Sequence, residues 1–190
     1  MCLLVVRSAN SNHKCFEQAR ELYMKNAKET IKYAFKASIP IMAGYIVLGM
    51  GFGLLMESKG YDWWWSLLMS LTVYAGSMQY VAIDLLAGGA SLISAALMTL
   101  LVNIRHIFYG ITMLEGYKDT GAKKPYLICA LTDETFSLVC SPKLPEGVEQ
   151  KAYYFFVSLF NHFYWVAGSV LGGVIGNVFT FNTAGVDFAL

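Results

Sequence analysis

Apolar residues fall in blocks along the chain. Uncharged apolar stretches cover residues 37–56 and 152–179, and each reaches the roughly 20 residues a helix needs to cross the hydrocarbon of a bilayer. Residues 63–87 and 90–114 are also long enough, but polar residues interrupt both. Residues 126–140 are shorter and carry two carboxylates. Between the blocks stand ESKGYD, EGYKDTGAKK and SPKLPEGVEQK, whose charged and turn-forming residues belong outside a bilayer. The pattern predicts an all-α polytopic membrane protein: a helix bundle of about five hydrophobic segments, with residues 37–190 as the transmembrane domain and no soluble module.

The first 36 residues differ from the rest. Phe16, Ala19, Leu22, Tyr23, Ala27, Ile31, Ala34 and Phe35 recur at the spacing of one helical face, and Arg20, Lys25, Lys28 and Lys32 occupy the other. This predicts a basic leader over residues 1–36, either a solvated arm or an amphipathic helix lying on the cytoplasmic leaflet. MCLLVV is too short for the apolar core of a secretory signal.

Composition agrees with the pattern. The chain is 56% hydrophobic and 14% charged, with mean hydropathy +0.49, outside the range of ordinary soluble domains. Net charge is +1, yet residues 1–36 hold seven of the fourteen Lys and Arg against three Glu, so the N-terminus is expected to stay cytoplasmic. Cysteines at positions 2, 15, 129 and 140 have neither CxxC nor zinc spacing and predict no disulfide and no metal site. His106 and His162 likewise show no ligand spacing and read as core histidines.

Small residues point to close helix packing. Gly49 and Gly53, and then Gly168, Gly172 and Gly176, recur every four residues and let another backbone approach. Trp63, Trp64 and Trp65 directly follow the first connection, where indole rings anchor a helix at the membrane interface.

The polar interruptions carry the chemistry. In LLVNIRHIFYG, residues 100–110, Asn103, Arg105 and His106 sit near the middle of an apolar run. Arg at a helix centre costs about 2.5–3.5 kcal/mol on insertion scales, so it needs a partner or a wet cavity. Asp133 and Glu134 are the acidic pair within a predicted segment, with Asp84 and Asp187 as the other candidates; we expect Arg105 to pair with Asp133 or Glu134. In helical projection Thr99, Asn103, His106 and Gly110 share a face, and Arg105 lies about 100° from His106. In VYAGSMQYVAIDLLAGG, residues 73–89, Gly76 and Ser77 precede Gln79 in mid-segment and predict a broken or re-entrant helix. An unwound helix exposes amide N–H groups that suit a carboxylate.

A short internal echo suggests a repeat. L-G-x-x-x-G occurs at Leu48–Gly53 and again at Leu171–Gly176, followed by YAGSMQYVA and TAGVDFAL respectively. If residues 63–87 do not cross the membrane, three crossings separate the copies and the repeat is inverted, truncated at the C-terminus.

YAGSMQYVAIDLL, LLVNIRHIFYG, LTDETFSL and the terminal GVDFAL, in this order and spacing, resemble the AzlC family, the large subunit of branched-chain amino acid export permeases. The resemblance runs from about residue 34 to the C-terminus. It implies an exporter of valine, leucine, isoleucine and often methionine in a bacterial cytoplasmic membrane, working with a small AzlD-type membrane subunit. Neither a cofactor nor a nucleic-acid partner is expected. Similar proteins continue beyond GVDFAL, so the second repeat is expected to be incomplete here.

The expected mechanism is alternating access around a polar site near mid-membrane. Gly76 and Ser77 would meet the substrate carboxylate; Gln79, Asn103 or a carboxylate would meet its ammonium; and an apolar pocket would take its side chain. Asp133, Glu134 and His106 are the candidates for carrying a coupling proton. The structural alternative is a permanent ion pair of Arg105 with those carboxylates. Two other classes remain: a non-transporting membrane subunit, and an intramembrane hydrolase built from Ser77, His106 and Asp133. The last lacks a G-x-S-x-G elbow, and no catalytic residue is expected.

Overall fold

The computed structural model describes the backbone of residues 2–178 and the side chains from Met24 to Val178. Cys2, Cys15, the two faces of residues 15–23, Asp187 and the TAGVDFAL end of the echo lie outside the described side chains.

All regular structure among the described residues is helical. Helix α1 spans Cys2–Ser58, α2 Trp63–Thr72, α3 Gly76–Ala87, α4 Leu92–Thr112, α5 Lys124–Cys129, α6 Asp133–Val139 and α7 Gln150–Val178, with a single 3-10 turn at Gly121–Lys123. Among the described residues, three stretches are long and apolar enough to cross a membrane: Met24–Ser58, Leu92–Thr112 and Gln150–Val178. At 1.5 Å per residue even the shortest, with 21 residues, reaches about 30 Å, the hydrocarbon thickness. Residues 37–56, 90–114 and 152–179 thus correspond to continuous helices. The other two predicted segments are each split in two.

Helix α1 runs on through residue 36. Thr30 and Ala34 are fully buried, and the Thr30 hydroxyl accepts from the Glu149 N–H at 3.1 Å, so this part of α1 packs into the bundle.

Helices α1 and α7 form the centre. A Cβ on Gly53 would collide with the Ser169 carbonyl, and one on Gly172 with the Met50 carbonyl; one on Gly49 would lie 2.9 Å from the Trp165 carbonyl. The two glycine stripes therefore bring backbone against backbone. Contacts advance together along both helices, from Thr30 with Glu149 to Glu57 with Gly176, so α1 and α7 run parallel.

Helices α2 and α3 form a hairpin that enters from the end where α1 finishes. Trp63 lies against Gly173, and the chain descends until the Ser70 carbonyl meets His162 at 3.1 Å. After Val73–Ala75, α3 climbs back past Leu48, whose carbonyl accepts from Tyr80 at 2.6 Å, until Asp84 faces Lys59 at 3.7 Å. Gly60, at φ +84°, makes the turn into α2, and Gly89, at φ +59°, the turn out of α3.

Helix α4 then runs antiparallel to α1, from Leu92 beside the hairpin's exit to Met113, which shares a core with Ala34 and Tyr154. Ser91 caps its start by accepting from the Ser94 N–H. No residue of α4 is buried, and Leu92 (89% exposed), Leu101 (66%) and Phe108 (65%) present an apolar surface suited to lipid.

Helices α5 and α6 form a second hairpin, entering from the opposite end. Lys123 lies over the Phe155 ring near the start of α7, Tyr126 reaches His162, and the turn at Ala130–Thr132 brings Thr132 to Tyr45. Helix α6 returns toward Tyr153, whose hydroxyl donates to the Leu138 carbonyl. Because this segment also turns back, one candidate span, α4, lies between α1 and α7. The two L-G-x-x-x-G copies therefore lie on parallel helices, and the inverted relation expected between them is not present.

Candidate functional site

The two hairpins meet tip to tip midway along α1 and α7. At the first tip, Val73, Tyr74 and Ala75 leave helical geometry, with Ala75 at φ −145° and ψ 85°, and α3 restarts at Gly76. At the second, Thr132 takes an extended conformation and its hydroxyl accepts from the Thr135 N–H at 3.3 Å, capping α6; Asp133 and Glu134 occupy the first turn, where carboxylates are favoured. Between the tips lies a cavity of about 270 Å³. That is just below the roughly 300–1,000 Å³ of drug-sized ligand sites and suits a small metabolite.

Arg105 crosses this cavity. It pairs with Asp133 and donates through Nη2 to the Ser77 hydroxyl at 2.8 Å. The guanidinium therefore joins α4 to both tips. Asn103, Arg105 and His106 all line the cavity, since the long Arg105 side chain reaches around its helix to the face that carries the other two. Asn103 Nδ2 donates to the Thr99 carbonyl at 3.0 Å, and His106 Nδ1 lies 3.3 Å from the Asn103 carbonyl, so both side chains rest on α4's own backbone.

Glu134 is held differently. The Tyr45 hydroxyl donates to its Oε2 at 2.7 Å and lies 2.6 Å from the Thr132 hydroxyl. Several polar atoms at the cavity are buried without a partner: Arg105 Nε and the Tyr74 hydroxyl, which can donate, and Asp133 Oδ1, which can accept. An uncompensated buried polar atom costs about 1–3 kcal/mol, so a ligand offering both an anionic and a cationic group gains by meeting them.

Gly76 and Ser77 line the cavity; Gln79 does not. It is fully buried one turn behind the wall, where its Oε1 accepts from the Trp165 indole at 2.6 Å. The apolar part of the wall comes from Leu48, Ala75 and Trp165. The Ser77 hydroxyl is bonded to Arg105, and Asp133 is paired with Arg105, so the contacts a Ser-His-Asp triad requires are not made. Among the described residues no three His, Cys, Asp or Glu side chains group closely enough to hold a metal ion, and Cys129 and Cys140 are free.

Tyr45, Tyr74, Thr132 and Trp165 line the cavity without having been singled out in the sequence. Thr132 had a signal: Thr followed by two acidic residues and a short apolar run is a helix start. The three aromatics had none, being ordinary apolar positions until the tertiary fold turns them toward the tips.

Residues 40–179 match the family described as AzlC protein. The chain belongs to the AzlC family. It is 45% identical over 157 residues to the branched-chain amino acid transport protein AzlC of Bacillus subtilis strain 168, an alignment covering 83% of this chain and 62% of that one. An uncharacterized membrane protein of Helicobacter pylori strain 26695 is 44% identical over 162 residues, 85% of this chain and 71% of the other. The inner membrane protein YgaZ of Escherichia coli K12 is 30% identical over 145 residues, 75% and 59% of the two. This AzlC-family chain thus spans about three-fifths of the length of the Bacillus subtilis relative. No solved structure matches it.

Proposed function

We propose that this chain lines the substrate path of an exporter of valine, leucine, isoleucine and methionine, driven by protons and acting with a small AzlD-type membrane subunit in a bacterial cytoplasmic membrane. The observation that carries the reading is the cavity between the hairpin tips, where orphaned donors and an orphaned carboxylate oxygen stand together. The name of the Bacillus subtilis relative supplies the substrate class.

A free α-amino acid has the complementary charges. Its carboxylate would meet Arg105 Nε, the Tyr74 hydroxyl and the amides that open α3 at Gly76 and Ser77, where the helix terminus favours an anion. Its ammonium would meet Asp133 Oδ1, with Asn103 beside it, and its side chain would rest on Leu48, Ala75 and Trp165. Without substrate, the Arg105–Asp133 pair neutralises both charges. Asp133, Glu134 and His106 are the candidates for carrying a coupling proton; Asp133 is paired with Arg105, and Glu134 accepts from the Tyr45 hydroxyl.

Orientation follows from charge. Lys25, Lys28, Lys118, Lys123, Lys124 and Lys151 gather at the end where α1 and α7 begin, and Lys59 stands at the other; the lysine-rich end, with the N-terminus, is read as cytoplasmic. A crossing helix followed by a hairpin occurs twice in opposite senses, as α1 with α2–α3 and α4 with α5–α6. This favours an inverted repeat in that register, whose two tips give access from the two sides.

The test is efflux. In cells producing this chain with an AzlD-type subunit, intracellular leucine should fall after a pulse of leucine-containing dipeptide, and Asp133→Asn or Arg105→Gln should abolish the fall at unchanged membrane abundance. Normal efflux from both variants would make the pair structural, and no efflux from the unaltered proteins would reject the exporter.

A further inference from the structure

We infer that Trp165 determines which side chains the cavity accepts, and that Gln79 is the positioning residue that holds its indole in place; this rests on the amino acid site proposed above.

Trp165 lies at the level of the hairpin tips and is 3% exposed. Its ring is fixed on every side for which a neighbour is present. Nε1 donates to Gln79 Oε1 at 2.6 Å, Phe52 stacks on it at 6.5 Å with the planes 28° apart, and Tyr45 meets it edge-on at 5.5 Å. The far edge covers the start of α3: a Cβ on Gly76 would sit 3.0 Å from the ring. Close-packed interiors transmit such constraints, so the indole has no room to retreat from an oversized ligand.

Gln79 is an expensive way to support an aromatic ring. It is wholly buried and its Nε2 has no partner, a loss that an aliphatic residue at the same position would avoid. What the amide supplies is one acceptor for the indole N–H, and with it a single ring orientation. A rigid apolar wall of this kind rejects polar side chains through desolvation and aromatic ones through size, leaving aliphatic side chains as the class that fits.

The full chain in lipid nanodiscs tests this by equilibrium binding of radiolabelled leucine, with valine and phenylalanine as competitors. Trp165→Phe shortens the wall and should raise phenylalanine affinity relative to leucine by about tenfold or more, within the range seen for small changes in apolar pockets. Gln79→Leu should move the same ratio in the same direction, and the double variant should move it no further than Trp165→Phe alone, because Gln79 acts through the ring. An unchanged ratio, with both ligands weakened equally, overturns the inference while leaving the amino acid site intact; additive effects overturn the role of Gln79. If Trp165→Phe does not fold, the ratio in Gln79→Leu decides alone. Leucine binding absent from the unaltered chain overturns the site and this inference together.

Discussion

Arg105 Nη2 donates to the Ser77 hydroxyl at 2.8 Å, a bond from α4 to the first residues of α3. Since α4 buries no side chain, this bond and the adjoining pair with Asp133 are its polar fastening to the hairpin tips. The fork geometry of a guanidinium is what allows one side chain to serve both partners.

Arg105→Lys should therefore separate the two roles. Lysine can keep the charge beside Asp133 but cannot also reach Ser77 in the same geometry. We expect leucine binding to weaken about tenfold, with thermal stability reduced by no more than about 1 kcal/mol because the pair is partly open to the cavity. Binding isotherms and thermal unfolding in detergent check this; unchanged binding would show that charge alone suffices.

Thr132→Ala removes the cap of α6 and the hydroxyl contact to Tyr45. The expected cost is about 1 kcal/mol, the usual value of an N-cap, and Thr132→Ser should restore most of it. The measurement is the unfolding midpoint of the purified variants. A serine variant as unstable as the alanine one would place the effect in lost packing of the methyl group.

Tyr45→Phe leaves the ring contacts with Trp165 and Tyr74 in place but takes the donor from Glu134. Stability should fall by about 1.5–3 kcal/mol, as for a hydrogen bond to a charged acceptor. Pairing the change with Glu134→Gln in a double-variant cycle should reveal a coupling of similar size. Additive losses would mean that the two groups do not communicate.

The parts of the fold legible in the sequence were those that hydropathy and small-residue spacing encode. Gly49, Gly53, Gly168 and Gly172 announced close backbone packing without naming the partner, which is each other's helix, and the Gly-Ser pair after Val73–Ala75 announced the first break. The second break was masked: residues 126–140 read as one short apolar run, and the Thr132 cap spoke only through hydrogen bonding, which hydropathy does not register. For residues 63–87 re-entry was expected beside a simple break, because 25 residues suffice either to cross or to turn back, and the contact of Lys59 with Asp84 shows α3 returning to the end where α1 finishes. Arg105 was expected to find an acidic partner from cost alone. Gln79 was expected at the ligand, and it faces Trp165 because helical phase relative to a neighbour cannot be read from one segment.

Gly53→Leu should leave no folded protein, since its side chain would enter the backbone of α7, whereas Gly44→Ala, which meets nothing within 4 Å, should be neutral or slightly stabilising. The ratio of monodisperse to aggregated protein on gel filtration separates the two. Equal yields would mean that α1 and α7 can part without loss.

The backbone contact of α1 with α7 also divides the molecule mechanically. Where Gly49 and Gly53 of α1 meet Gly168 and Gly172 of α7, backbone faces backbone with no side chain between to re-pack, so along this stretch the helices can neither slide nor roll without clashing. They serve as a chassis, and any displacement in the proposed cycle falls to the hairpin tips and α4, which meet that chassis mainly through side chains such as Tyr45, Tyr74 and Trp165. Crosslinks within the chassis should be harmless to turnover, and crosslinks from it to either hairpin tip should arrest it.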